Sequence, residues 1–332
     1  SSIGIDAIIN QKGKDVVCIY VCIGGSYTSL KRAVSLLAQK NALDYTIVMA
    51  STAAASSAEQ YLCPYSASAI GEYFMFHGRD VLVVFDDLIK HAWAYRQMSL
   101  LLERPPGREA YPGDIFYIHS QLMERAGKLK PEHGGGTMTF LPIVSTLQGD
   151  ITGYVQSNLV SMTDGQIYLN ASLFHEGFKP AIDMGLSVSR IGSKVQCPAV
   201  KKVSGGLRLE YAQYRELLRL TRLRTKLSDE AMRQMKRGEI LRELLTQENG
   251  RPVSTIEEIV TFYALKSGAL EKRGAQEVKA FKEGFFTYLT ETDPELAGLL
   301  DSKRDLSDEI KTALDAEIEE FFSSLRDQEN RG

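Results

Sequence analysis

The sequence is poor in the residues that hold small secreted scaffolds together. Its four cysteines, at 18, 22, 63 and 197, are too few and too scattered over 332 residues to make a disulfide framework. Cys18 and Cys22 stand four apart inside an apolar run, without the tight CxxC spacing of a zinc site. This usage points to a reducing compartment. Long apolar runs are missing as well: runs such as residues 81–85 fall far short of the ~18 residues of a membrane span. There is no basic excess, because 39 Lys and Arg face 42 Asp and Glu and leave a net charge of −3. The usual electrostatic reason to expect a nucleic-acid partner is therefore absent. The five histidines (77, 91, 119, 133, 175) show no metal-ligand spacing. No GxxxxGK[ST] loop, no nucleophile elbow around a serine, no repeat and no low-complexity tract is found.

What is present is ordinary globular material, 44% hydrophobic and 24% charged. At about 150 residues per domain the length suits roughly two domains. Residues 16–23, 45–49 and 81–85 are short, β-branched and apolar at successive positions, the pattern of strands buried on both faces. Residues 30–39 and 58–76 lie between them with helical spacing, so the alternation predicts a doubly wound α/β sheet. Further helices are expected at 93–102 and 116–126, and further strands of the sheet at 138–144 and 185–188. After residue 195 strand-like runs almost vanish. Residues 209–227, 229–245, 255–266, 275–290 and 306–325 read as long charged helices, with Leu217, Leu218, Leu220, Ile240, Leu241, Leu244, Leu245, Ile256, Ile259, Val260, Phe321 and Phe322 facing one core. The expected domains are 1–195, α/β, and 196–332, an all-α bundle.

Three places carry chemistry. The apolar run 81–85 ends in Asp86-Asp87, which sets a carboxylate at the carboxyl edge of a parallel sheet, where ligands bind in open α/β folds. In a nucleotide-hydrolysing fold such an acid orients Mg²⁺ or a water of its shell, and otherwise it is an acidic loop after a strand. Gly24-Gly25-Ser26 follows the first strand and opens a helix without a Lys in place, and Gly134–Gly136 precedes a strand, so both read as turns. Residues 1–11 read as a helix already under way, with Ile5, Ile8 and Ile9 on one side, so the chain is expected to be the downstream piece of a longer protein.

Residues 95–114 (YRQMSLLLERPPGREAYPGD) and 161–167 (SMTDGQI) closely resemble the alpha subunit of F-type ATP synthases. Residues 180–193 (PAIDMGLSVSRIGS) look like the signature shared by the alpha and beta subunits of that family. The resemblance runs from residues 5–11 (IDAIINQ) through the helical tail and is weaker after about residue 200. It implies a RecA-like P-loop NTPase domain with a mostly parallel sheet, followed by the C-terminal helical domain. Ser1 then falls where the family has the Ser/Thr closing its phosphate loop, with the Gly-Lys and a β-barrel domain expected before it.

The resemblance also assigns roles. It implies ATP and Mg²⁺ as cofactors, bound weakly or not at all by residues 1–332 taken alone, with Ser1 and Asp86 at the metal. It places adenine-side contacts at Phe174, Lys179, Pro180, Gln247 and Asn249, where Lys179 replaces a common Arg and loses planar stacking. It makes Arg190 an arginine finger reaching in trans to the catalytic beta site, with Ser161 as its hydroxyl partner. Catalytic beta subunits carry Gly-Glu-Arg after the strand matching 16–23, and alpha subunits usually Gly-Gln-Lys; Gly24-Gly25-Ser26 has neither side chain. The function implied is a non-catalytic, regulatory and structural alpha subunit of the proton-translocating ATP synthase, alternating with beta subunits in a hexamer. Pro105, Pro106, Gly107, Arg108, Glu109, Ala110 and Tyr111 would line the hole around the central-stalk gamma subunit. The complex would be peripheral on an energy-transducing membrane, on the bacterial cytoplasmic face or the mitochondrial matrix or chloroplast stroma side. The alternatives are a catalytic ATPase subunit, beta-like or secretion-type, against which Gly25 counts, and a RecA-like hexameric nucleic-acid translocase, against which the net charge counts.

Overall fold

The computed structural model describes residues 1–222 and 228–329. The chain divides into two compact units, Ser1–Gln166 with Asn249–Pro252, and Ile167–Glu248 with Val253–Gly332. In the first unit, α1 (Ser2–Ile9), β1 (Val16–Gly25), α2 (Tyr27–Gln39), β2 (Thr46–Thr52), α3 (Ser57–Phe76), β3 (Asp80–Asp86), α4 (Leu88–Leu101), α5 (Ile115–Met123), β4 (Gly127–Lys128), β5 (Thr137–Ile143), α6 (Tyr154–Met162) and β6 (Gly165–Gln166) follow in order. Five strands form one sheet in the order β2-β1-β3-β5-β4, parallel except for β4. This is the expected α/β sheet. Residues 16–23 of β1 and 81–85 of β3 are apolar at successive positions because both faces are covered. Ile19, Val21, Val83 and Phe85 enter one core and Cys18, Tyr20, Cys22 and Val84 the other.

The helices start where the sequence supplies caps. Ser26 accepts from the Ser29 amide at 3.1 Å and opens α2. Ser56 and Glu59 make a reciprocal capping box on α3. Asp87 caps α4, accepting from the Ile89 and Lys90 amides at 2.7 and 3.2 Å. The expected helix at 93–102 therefore begins five residues early, at Leu88, because the second acid after β3 is a cap and not a loop residue.

The second unit holds α7 (Ala171–His175), β7 (Val188–Ser189), α8 (Pro198–Ser204), α9 (Leu207–Arg222), α10 (Asp229–Leu245), α11 (Thr255–Lys266), α12 (Ala275–Thr292), α13 (Pro294–Lys303) and α14 (Asp308–Glu329). Residues 223–227 of the expected helix 209–227 lie outside the described residues. Two expectations fail. Residues 185–188 do not extend the sheet: after the Asp183 turn only Val188–Ser189 is extended, outside the five strands. Leu220 is 39% exposed and does not face the core, while Phe281, Phe285, Phe321 and Phe322 pack as an aromatic centre. α13 was not anticipated, although its signal is plain. Asp293 accepts from the Leu296 amide at 2.9 Å and Pro294 sits in the first turn. Residues 167–195, read from sequence with the first domain, bring Leu173, Phe178 and Ala181 into the core of the second unit.

One buried pair ties the helices of the first unit to its pH response. His91 of α4 and His119 of α5 are both wholly buried, with His91 Nδ1 3.2 Å from His119 Nε2. Tyr61 of α3 stacks on His91 with ring centres 5.2 Å apart. Burial, and then the neighbouring imidazole, pulls His91 down to about 3, and burial pulls His119 down to about 4. Both folded values lie below the ordinary 6.5, so the unfolded chain takes up protons first. The stability from keeping these rings neutral is complete above pH 6.5 and is lost as the pH falls from there towards 4. We expect the melting temperature to drop between pH 7 and 5, and the drop to shrink in the double variant His91→Leu/His119→Leu. An equally steep drop in that variant would assign the acid sensitivity to other groups.

Candidate functional site

The carboxyl edge of the sheet is built by close packing. A Cβ on Gly4 would lie 2.7 Å from Val84 Cγ1, so only glycine lets α1 settle this near β3. That approach brings Ser1 to the end of the strand, where its Oγ donates to Asp86 Oδ2 at 2.5 Å. Tyr20 OH donates to the same oxygen at 2.8 Å. β1 and β3 pair in a register that sets Tyr20 opposite Val84 and Cys22 opposite Asp86. Tyr20 and Asp86 are thus diagonal neighbours on one face, within reach of a long side chain. Burial first, and then the Asp86 charge, pushes the Tyr20 phenol far up and the Cys22 thiol up. Both stay protonated at neutral pH.

The neighbouring acid serves the structure. Besides the two amides of α4 on its Oδ1, Asp87 accepts from Ser145 Oγ at 2.5 Å on its Oδ2. Gln156 in turn donates to the Ser145 carbonyl at 2.9 Å. Gly24 has φ +61, and a Cβ there would stand 2.9 Å from Gln60 Oε1 and from Lys90 Cβ, so the backbone turns under α3 and α4 where a side chain has no room. At Gly25 a Cβ would meet Cys22 Sγ at 2.6 Å.

The donor set fits a hard cation that takes its remaining ligands from elsewhere. Ser1 and Asp86, read from sequence as metal ligands, come together as a hydroxyl and a carboxylate, the oxygen donors that suit Mg²⁺. Among the described residues no group of three or more His, Cys, Asp or Glu could hold a metal by itself. Mg²⁺ characteristically binds through one or two carboxylates, waters and substrate phosphates, so a single carboxylate at this edge suits a metal that arrives with phosphate.

In the second unit the structure gathers four of the five expected adenine-side residues. Lys179 Nζ stands 4.8 Å from the centre of the Phe174 ring, which is 54% exposed, and the Lys179–Pro180 bond is cis. The Gln247 amide donates to the Lys179 carbonyl at 2.7 Å. Phe178 anchors the segment, buried and stacked on Tyr211 at 5.6 Å. Arg242 ties it further by donating to the Glu176 carbonyl at 2.7 Å. Asn249 belongs instead to the short segment grouped with the first unit, where the next residue's amide, Gly250, donates to Asp6 Oδ1 at 3.0 Å.

Arg190 is exposed directly after β7, on a backbone braced at both sides. Asp183 Oδ1 accepts from the Gly185 and Leu186 amides at 2.9 and 3.1 Å, and Ser189 Oγ accepts from Gly192 at 3.1 Å. Ser161, near the end of α6 in the first unit, donates to the Asn158 carbonyl at 2.6 Å.

Residues 105–111 form a stiff projecting loop between α4 and α5. Tyr95 OH and Arg104 both donate to Asp114 Oδ2, at 2.8 and 3.1 Å, closing the loop's base. The Gly107 amide donates to the Tyr111 carbonyl at 2.7 Å, and Arg96 lies over the buried Tyr111 ring at 4.7 Å. Residues 101–110 are all exposed, Leu101 and Leu102 by about three quarters (76% and 73%). Sequence reading missed Tyr20 and Ser145, which sit inside apolar or neutral stretches. Only the register between β1 and β3 reveals the first of them.

Comparison with known proteins agrees with this architecture. Residues 1–189 match the profile of the nucleotide-binding domain of the ATP synthase alpha/beta family, and residues 196–321 match that family's profile for the C-terminal domain. The sequence is 48% identical over 317 residues to ATP synthase subunit alpha of Clostridium botulinum (strain Eklund 17B / Type B), covering 96% of this protein and 63% of that one. It is 46% identical over 326 residues to ATP synthase subunit alpha of Petrotoga mobilis, covering 98% of this protein and 65% of that one. It thus spans a little under two thirds of these relatives. The chain belongs to the ATP synthase alpha/beta family.

Proposed function

We propose that this chain acts as the non-catalytic, regulatory and structural alpha subunit of an F-type proton-translocating ATP synthase, supplying Arg190 in trans to a catalytic beta site. The observation that carries the non-catalytic reading is the state of the acids near the sheet edge. A carboxylate acting as general base needs a free oxygen within hydrogen-bond reach of the attacking water. Gly25 offers no side chain, and its Cβ position is crowded by Cys22. Both Asp87 oxygens are engaged by α4 and Ser145, and Glu59 is held by the amide and hydroxyl of Ser56. Asp86 remains, and it suits the cation better than the water. The sheet edge would therefore hold Mg·ATP without turnover, weakly or not at all in residues 1–332 taken alone, and the family resemblance assigns Phe174, Lys179, Pro180, Gln247 and Asn249 to the base.

Arg190 suits the finger role because it is exposed on a braced strand end and carries a permanent planar charge. The loop 105–111, stiff at its base and apolar at its flank, suits a surface that bears on a turning gamma subunit. No described helix is long and apolar enough to cross a membrane, and it is the likeness to ATP synthase subunit alpha that supports a peripheral place on an energy-transducing membrane, through the rest of the complex.

Two outcomes follow from this reading. Gly25→Glu should cost about 1–3 kcal/mol of stability through overpacking. The loss should be smaller when Cys22→Ala is combined with it; equal denaturation midpoints for Gly25→Glu and the parent would show that the pocket yields. In the complex assembled with beta, Arg190→Lys should leave assembly and nucleotide binding nearly intact yet slow ATP hydrolysis by about two orders of magnitude or more, since arginine fingers are worth roughly 10³–10⁵. Near-normal turnover of that complex would make Arg190 a surface ion-pair residue.

A further inference from the structure

We infer that Tyr20 is the positioning residue of this site: its buried hydroxyl fixes the plane of the Asp86 carboxylate so that the second oxygen is presented to Mg²⁺. The inference rests on the reading of the sheet edge as a Mg·ATP site. Asp86 Oδ2 takes two hydroxyl donors, Tyr20 at 2.8 Å and Ser1 at 2.5 Å. Among the described residues Asp86 Oδ1 has no hydrogen-bond partner. The two donors are not equivalent. Ser1 is exposed, whereas Tyr20 is 3% exposed, locked between Cys18 and Cys22 in the core under α1. The carboxylate torsion of an Asp is broad and roughly two-fold, so one exposed hydroxyl leaves the group free to swing. A ring fixed in the core does not. The strand register puts the two groups within reach, since Tyr20 and Asp86 are diagonal neighbours on one face.

The choice of metal distinguishes positioning from mere packing. Mg²⁺ demands near-ideal octahedral geometry, while Ca²⁺ accepts flexible coordination. A carboxylate that has lost its orientation should therefore hurt Mg²⁺ most. Tyr20→Phe keeps the ring in the core and removes only the hydroxyl, so the fold survives.

The test uses the complete subunit and measures ATP affinity with Mg²⁺, with Ca²⁺ and with chelator. For Tyr20→Phe the expected result is a loss of about tenfold for Mg·ATP, the scale of one hydrogen bond to a charged group, a much smaller loss for Ca·ATP and no change without metal. In an Asp86→Asn background the same substitution should add nothing further. Unchanged Mg·ATP affinity in Tyr20→Phe would overturn the inference. So would an equal loss under all three conditions, which would make Tyr20 a packing residue only. If Asp86→Asn itself binds Mg·ATP as the parent does, the sheet edge is not the metal site, and the reading of the site fails together with the inference.

Discussion

The closeness of α1 to β3 at Gly4 and Val84 is the constraint on which the first unit turns. One missing Cβ lets a short apolar helix lie on the central strand, with Ile5 and Ile8 in the core and Ser1 at the carboxyl edge. The Asp86 carboxylate then receives a hydroxyl from the helix and another from β1. A Cβ at Gly4 would force α1 or Val84 to shift, and Ser1 rides on the first turn of α1, so packing in the interior sets the geometry at the rim.

Strand β3 offers two adjacent acids, and the backbone assigns them different tasks. Asp86 ends the strand and faces α1, while Asp87 turns into the cap of α4 and is held by Ser145. Across from them the turn at Gly24-Gly25 carries no side chain. On the proposed reading, with Asp87 held as a cap and Asp86 given to the cation, such an edge would hold a nucleotide in place without consuming it.

Much of this was legible in the sequence because parallel strands and capped helices have strong local signals. The runs 16–23 and 81–85 and the helices at 229–245 and 255–266 depend on nearest neighbours alone. The meeting of Ser1 with Asp86 was legible only through resemblance to a family, since 85 residues separate them. Tyr20 was invisible for a different reason. Within a continuous apolar run nothing distinguishes a core tyrosine from one whose hydroxyl reaches an acid, and only the register of β1 against β3 decides it. Residues 185–188 misled because alternating apolar residues look the same in a sheet and in a strap held by an Asp turn, here Asp183. Arg190 shows the remaining limit: its surroundings in the second unit are a braced strand end, and its proposed partner would be on another subunit.

The central claim is that nucleotide on this subunit is held and not turned over. The most direct measurement is to load the assembled complex with labelled ATP, start turnover with unlabelled ATP, and identify by photo-crosslinking the nucleotide remaining on this subunit. The account predicts that the label persists there as intact ATP through many turnovers of the complex. Label leaving this subunit as ADP at the turnover rate would contradict it.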